Sequence, residues 1–252
     1  MEKFNKVGEI TFLFWITKIV ATTLGETLGD FISMTLNLGY TNGILITLLF
    51  FLIVLILQLS QKKYIPAIYW LVIIGTTTLG TEISDFIDRS LHLGYAWGSI
   101  LLITCLFLTL LLWNRKYKSL EVYPITNPQK EIYYWTAILF SNSLGTAFGD
   151  FLSDNMGLSY LNGAILTGLV ILFVVILHYY TKLNHILLFW VAFIFTRPFG
   201  ATFGDFLTKP HIKGGLELGT LSASLTSLMI MATLIFISHR QYKDTNKELK
   251  NI

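Results

Sequence analysis

The sequence predicts an all-α polytopic membrane protein: eight transmembrane helices from four tandem two-helix repeats, arranged as two pseudo-twofold halves. Of 252 residues, 54% are hydrophobic and only 13% charged, against roughly 25% charged in an average soluble domain. Several apolar runs, among them Ile44 to Leu57 and Ala164 to Leu177, extend at both ends towards the roughly 20 residues that cross a bilayer. A signature also recurs four times. Trp15, Trp70, Trp135 and Trp190 are each followed ten residues later by a glycine (Gly25, Gly80, Gly145, Gly200) and fifteen later by the aspartate of an Asp-Phe pair (Asp30, Asp85, Asp150, Asp205). The steps of 55, 65 and 55 residues make the second half a copy of the first at an offset of 120, a duplication of a duplicated unit.

The first half, residues 1–113, holds repeats one and two, with spans expected over 10–33, 40–60, 64–88 and 95–113. Its polar start, Met1 to Glu9, carries no small-residue cleavage site, so the first span reads as a retained helix. Residues 114–131 are polar, contain two of the five prolines and supply the ten extra residues of the middle step; they read as a cytoplasmic hinge or surface loop. The second half, 132–238, repeats the pattern with spans over 132–154, 159–180, 184–207 and 216–238, and 239–252 form a solvated cytoplasmic tail. Thirteen of the eighteen lysines and arginines, Lys3, Lys6, Lys62, Lys63, Arg115 and Lys116 among them, lie at the termini or between repeats. Only Arg89, Lys209 and Lys213 fall in the loops inside repeats. By the positive-inside rule both termini face the cytoplasm. The net charge of +3 is thus a topology signal and implies no nucleic-acid partner.

Soluble-enzyme chemistry has no visible machinery. Cys105 is alone, which excludes an internal disulfide and a thiolate metal site, and the five histidines do not align between repeats. There is no phosphate-binding glycine loop, no HExxH and no GxSxG, so the chain is expected not to be an enzyme.

The signature copies read TTLGETLGDF, TTLGTEISDF, NSLGTAFGDF and RPFGATFGDF. Each has a small residue four after the first glycine: Gly29, Ser84, Gly149 and Gly204. That GxxxG spacing lets helix backbones approach closely in lipid, within one chain or between two chains of a homodimer. Glycine also weakens a helix, so a second reading breaks each span here and frees backbone groups for a solute.

The aspartates could cap a following half-helix, but Glu26 lies four residues before Asp30 and Glu82 three before Asp85, each pair sharing a helix face. Six carboxylates thus occupy equivalent zones against two buried bases, Lys18 and Arg197, read as counter-charges or coupling groups. Each charge at mid-membrane costs roughly 2.5–3.5 kcal/mol, so the excess acids call for protons, a water-filled vestibule or bound cations. Because every repeat has an even number of spans, all four share one orientation, and a ring of signature helices would carry the aspartates to one level. The skew between halves, with Lys18, Thr22, Glu26 and Asp30 at steps of four and Thr146, Ala147, Ala201 and Thr202 in place of the glutamates, favours one asymmetric site. The ligands would be oxygens from Glu26, Asp30, Glu82, Asp85, Asp150 and Asp205, which suit magnesium, calcium, manganese or a monovalent ion better than copper or zinc.

The fourfold signature resembles a bacterial family of uncharacterised membrane-anchored proteins made of four tandem two-helix repeats of unknown function. The resemblance covers Trp15 to Ser238 and implies eight spans in a bacterial inner membrane, and no substrate. Repeat four departs from it: it lacks the tyrosine matching Tyr40, Tyr95 and Tyr160 and carries the insert Thr208 to Gly215. The expected function is transport of a divalent cation, manganese or magnesium preferred, with the acids protonating in exchange. The expected partners are lipid and the transported cation; no cofactor beyond such a cation is implied. The alternatives are a proton-coupled carrier of a small organic cation held by Trp15, Trp70, Trp135, Trp190 and Tyr40 through cation–π contacts, and a non-transporting scaffold or sensor.

Overall fold

The computed structural model describes residues 5–248, with side chains to Gln241; Lys3 and residues 249–252 of the expected tail lie outside the described residues. Eight α-helices follow one another: α1 (Phe12–Asp30), α2 (Gly39–Ser60), α3 (Pro66–Asp85), α4 (Tyr95–Tyr117), α5 (Pro128–Asp150), α6 (Tyr160–Tyr180), α7 (His185–Thr208) and α8 (Thr220–Glu248), with no strand among the described residues. Local signals start them. Pro66 and Pro128 stand in the first turns of α3 and α5, where a missing N–H costs nothing. The side chains of Thr11, Asn127, Ser159 and Asn184 accept from free backbone N–H groups at the starts of α1, α5, α6 and α7.

In repeats one to three the first helix passes, directly after the signature aspartate, into a π-helical turn: Phe31–Thr35, Phe86–Ser90 and Phe151–Asn155. Repeat four instead continues α7 to Thr208 and closes its loop with the 3-10 turn His211–Lys213. The divergent loop sequence therefore has a divergent shape.

The inner helices α1, α3, α5 and α7 form a closed ring, each packed on the next and α7 on α1. Each second helix covers the first helix of the following repeat: α2 lies on α3, α4 on α5, α6 on α7, and α8 returns to α1. No repeat closes on itself, so the four interlock.

Among the described residues, five helices are long and apolar enough to cross a membrane: α2, α4, α6, α7 and Thr220–Gln241 of α8. The four outer ones bury 28% or less of their apolar window, whereas α7 buries 61%. Their outward faces are apolar, as a lipid-facing surface requires. The remaining three, α1, α3 and α5, carry the hydroxyl, amide and charged groups of the ring interior, which lowers their apolar content.

The signature glycines are points of contact around the ring. A Cβ on Gly25 would lie 2.4 Å from the Thr77 side chain and 2.8 Å from its carbonyl carbon, one on Gly145 2.4 Å from Arg197, and one on Gly200 2.4 Å from Thr22. Gly80 meets the Asn142–Ser143 backbone, Gly29 meets Thr81, Gly149 meets Ala201 and Gly204 meets Glu26. The helices run unbroken through all seven glycines, so the expectation of a break here does not hold: close packing against the next helix supplies the neighbours that keep each one intact.

At the end opposite the aspartates, the 114–131 segment is not a free hinge. α4 runs on to Tyr117 and α5 begins at Pro128, while Val122 and Ile125 between them are buried. Ile125 N–H donates to Asn5 Oδ1 and Lys6 N–H to Ile125 O, both at 3.0 Å. Lys6 forms a buried ion pair with Glu131, and Gln58 Nε2 donates to Glu131 Oε1 at 2.9 Å. The N-terminal segment thus seals this end of the ring.

Gly25→Ala is expected to destabilise the protein by about 1–3 kcal/mol, the usual effect of overpacking against backbone, while Gly168→Ala, whose Cβ would meet Phe199 at an ordinary 3.4 Å, is expected to be near neutral. Thermal unfolding of the two variants in detergent checks the contrast.

Candidate functional site

Four inner helices with a common register present equivalent residues at equal depth, and residues four apart fall on one face of each helix. The ring interior is consequently a stack of five layers, each with one residue per repeat: Phe14, Tyr69, Tyr134 and Phe189; Lys18, Ile73, Ile138 and Phe193; Thr22, Thr77, Asn142 and Arg197; Glu26, Thr81, Thr146 and Ala201; and Asp30, Asp85, Asp150 and Asp205. All twenty are buried.

The first two layers form a stopper. The hydroxyls of Tyr69 and Tyr134 lie 2.5 Å apart, and the tryptophans pack around them: Trp70 against Phe14 at 5.5 Å, Trp135 against Tyr69 at 5.4 Å, Trp190 against Trp113 at 5.7 Å and Trp15 against Phe189 at 5.6 Å between ring centroids. The tryptophans therefore stand about 22 Å from the aspartates along each helix. They belong to the closed end, whereas Tyr40, the other aromatic of the organic-cation alternative, accepts from Arg89 at the aspartate layer.

Lys18 Nζ sits 4.2 Å from the Phe193 ring centroid and donates to Asn142 Oδ1 at 3.0 Å. Among the described residues no carboxylate lies within ion-pair distance of it, so Lys18 is not a counter-charge to the acids. Two helical turns separate it from Glu26. Arg197 does meet an acid. Its Nη1 donates to Thr22 O at 3.0 Å, and its Nη2 to Glu26 Oε2 at 2.9 Å and to the Thr81 hydroxyl. The guanidinium thereby ties α7 to α1 and α3 across the ring interior.

The aspartate layer is bridged by two bases. Lys209 Nζ lies 2.6 Å from Asp30 Oδ2 and 3.2 Å from Asp205 Oδ1. Arg89 Nη2 lies 2.9 Å from Asp150 Oδ2, and its Nε 3.5 Å from Asp85 Oδ1. Arg89 also donates to the hydroxyls of Tyr40 at 2.9 Å and Tyr95 at 3.1 Å. Asp30, Asp85 and Asp150 make no side-chain cap to the π-helical turns that follow, so the capping alternative is excluded for them. Sequence reasoning placed Arg89 and Lys209 in loops and missed their role. The signal was present: each stands four residues after the signature aspartate, and only in repeats two and four.

A cavity of about 390 Å³ opens at this level, lined by Met34, Arg89, Tyr95, Asp150, Asp154, Tyr160, Asp205, Lys209 and Lys213. At its inner side Glu26, Asp30 and Asp205 converge, offering carboxylate oxygens within 4.8 Å of one another, an all-oxygen set of the kind hard divalent cations take. Asp85 and Asp150 lie across the ring around Arg89. Glu82 stands apart from the stack, facing α2, where a Cβ on Gly43 would lie 2.5 Å from Glu82 Oε2. It is fully buried and neither oxygen accepts a hydrogen bond.

The repeat family described as Repeat of Unknown Function (DUF347) matches residues 13–64, 68–119, 133–184 and 188–244. The chain belongs to the DUF347 family. Each DUF347 unit supplies one inner helix with its share of the five layers and one outer helix that covers the next unit. No curated protein and no solved structure matches this DUF347 chain.

Breaking a buried ion pair from one side leaves a lone charge and costs about 3–5 kcal/mol. Arg197→Met is expected to lose stability on that scale, and the double variant Glu26→Gln/Arg197→Met to recover most of it. A double-mutant cycle of unfolding free energies measures the recovery.

Proposed function

We propose that the protein is an eight-span carrier of a divalent cation in a bacterial inner membrane, with both termini cytoplasmic and two pseudo-twofold halves around the ring axis. The polar inner helices α1, α3 and α5 would cross the bilayer as well, screened from lipid by the outer helices. The observation that carries the reading is the one-sided polar stack: an acidic layer with a cavity above it and an aromatic stopper below it. With the terminal segments cytoplasmic, the cavity faces outward.

Charge supports a cation as cargo. Five carboxylates of the ring interior (Glu26, Asp30, Asp85, Asp150, Asp205) stand near three bases (Arg89, Arg197, Lys209), which leaves two negative charges to be met by protons or a cation, with Glu82 apart from them. Glu26, Asp30 and Asp205 would hold the ion, manganese or magnesium by the hardness of the oxygen set. A cation drawn to Glu26 competes with Arg197, and release of Arg197 loosens α7 from α1 and α3. That gives binding a way to open the closed end.

The cavity's size favours a second reading, a small organic cation, since about 390 Å³ falls within the roughly 300–1,000 Å³ of small-molecule pockets and Tyr95 and Tyr160 line it.

Proteoliposomes holding the purified protein, screened with Mn, Mg, Ca, Zn and Na beside a pH-sensitive dye, test both. Flux of one metal that Asp30→Asn and Asp205→Asn abolish in folded protein is the expected result. Uptake of a quaternary ammonium probe without metal flux would move the assignment to an organic cation, and no flux of any ion or proton would sink transport altogether.

A further inference from the structure

The offset of 120 residues pairs Asp30 with Asp150, Asp205 with Asp85, Lys209 with Arg89 and Glu26 with Thr146. The chain therefore holds two related arrangements in which one base bridges two aspartates, and they differ in two ways. The Lys209 arrangement has a third carboxylate, Glu26, where its twin has the hydroxyl of Thr146. The bases differ in hold. The Arg89 guanidinium donates to Asp150 and to the hydroxyls of Tyr40 and Tyr95, with a charge contact to Asp85. Among the described residues the Lys209 ammonium donates one hydrogen bond, to Asp30, with a charge contact to Asp205 and no tyrosine clamp; Oδ1 of Asp205, more than nine-tenths buried, accepts no hydrogen bond, and neither does that of its twin Asp85. Both bases line the cavity, Lys209 with 20% and Arg89 with 27% of the side chain exposed, so the flexible four-carbon stem of Lys209 has space to swing into.

We propose that Lys209 is a tethered cation: its ammonium occupies the binding position of the empty site among Glu26, Asp30 and Asp205, and an arriving divalent cation displaces it into the cavity. Arg89 fills the twin position permanently, so each chain has one exchangeable cation site. A planar guanidinium held at several points does not exchange, whereas an ammonium is a compact point charge that a metal ion can replace. With Glu26 already paired to Arg197, the ammonium in the empty state and the metal ion in the loaded state keep Asp30 and Asp205 from standing as uncompensated buried charges. This inference rests on the cation reading above.

The test uses Mn²⁺ and the purified full chain in detergent, with two readouts. Electron paramagnetic resonance of free Mn²⁺ measures binding, and peptide mapping after treatment with an amine-acylating ester measures access to Lys209 in the unmutated protein. Saturating Mn²⁺ is expected to raise acylation of Lys209 about fivefold, and Lys209→Met is expected to bind one Mn²⁺ about tenfold more tightly, with no such gain in Arg89→Met. If the wild type binds Mn²⁺, Asp30→Asn does not, and Lys209→Met binds no more tightly while Lys209 stays protected, the tethered-cation role is overturned and the cation site stands. If neither wild type nor Lys209→Met binds Mn²⁺, Mg²⁺ or Ca²⁺, the cation reading falls and takes this inference with it.

Discussion

Close approach of the inner helices at Gly25, Gly80, Gly145 and Gly200 is the constraint on which everything else in this molecule depends. At each of the four, a methyl group would press on backbone or the root of a side chain in the next helix. Only at that separation do side chains four residues apart on each helix meet their equivalents across the ring, so that Lys18, Asn142 and the terminal nitrogens of Arg197 find partners there. In an apolar surround every backbone polar group must be satisfied internally, and charged side chains need partners too. Arg197 illustrates the consequence: its two terminal nitrogens reach a carboxylate, a hydroxyl and a backbone carbonyl contributed by two other helices.

The interlock of the repeats follows from the same need. An inner helix bearing Thr, Asn, Arg and Asp cannot face lipid on its remaining side, so an apolar helix must cover it, and the cover comes from the preceding repeat. α8 closing on α1 makes that scheme cyclic. Of the five layers, only the aspartates are identical in all four repeats. Below the aspartates, Lys18, Arg197 and Glu26 each occur in a single repeat, while the layer of four aspartates is complete. The bases that neutralise that layer come from repeats two and four alone, which lowers fourfold equivalence to twofold.

Much of this was legible in the sequence, and what was not has physical causes. The eight helices, their order and the common depth of Asp30, Asp85, Asp150 and Asp205 follow from apolar runs and a fixed spacing, because lipid-facing surface and helical rise are local properties. The glycines were ambiguous: GxxxG describes both a weak helix and a close contact, and only the neighbour, Thr77 for Gly25, decides. Arg89 and Lys209 were missed because the expected spans stopped at about residues 88 and 207. In the structure a π-helical turn carries Arg89 inward, and the last turn of α7 carries Lys209 inward. The repeat spacing set the tryptophans at one depth without saying what they touch; Trp70, Trp135 and Trp190 are buried in the stopper, since an aromatic layer of Phe14, Tyr69, Tyr134 and Phe189 provides an apolar surface to pack on at that depth. Lys18 was paired with acids by charge alone, and depth along α1 separates them.

The two solitary bases argue against a pore. A cation moving down the ring axis from the aspartate layer would meet the guanidinium of Arg197 and then the ammonium of Lys18, each fully buried and held by helices on more than one side. Level with Lys18 lie Ile73, Ile138 and Phe193, which offer an ion no side-chain oxygen. A continuous route would need both bases withdrawn and the apolar layer parted at once, whereas a carrier needs only one face of the ring to loosen at a time. Lys209 also joins α7 to α1 through Asp30, and in the contact that α7 makes with α1 through Arg197 the proposed cation site and ring closure share Glu26. On the proposed function, that shared residue is what would couple occupancy of the acidic site to the opening of the sealed end.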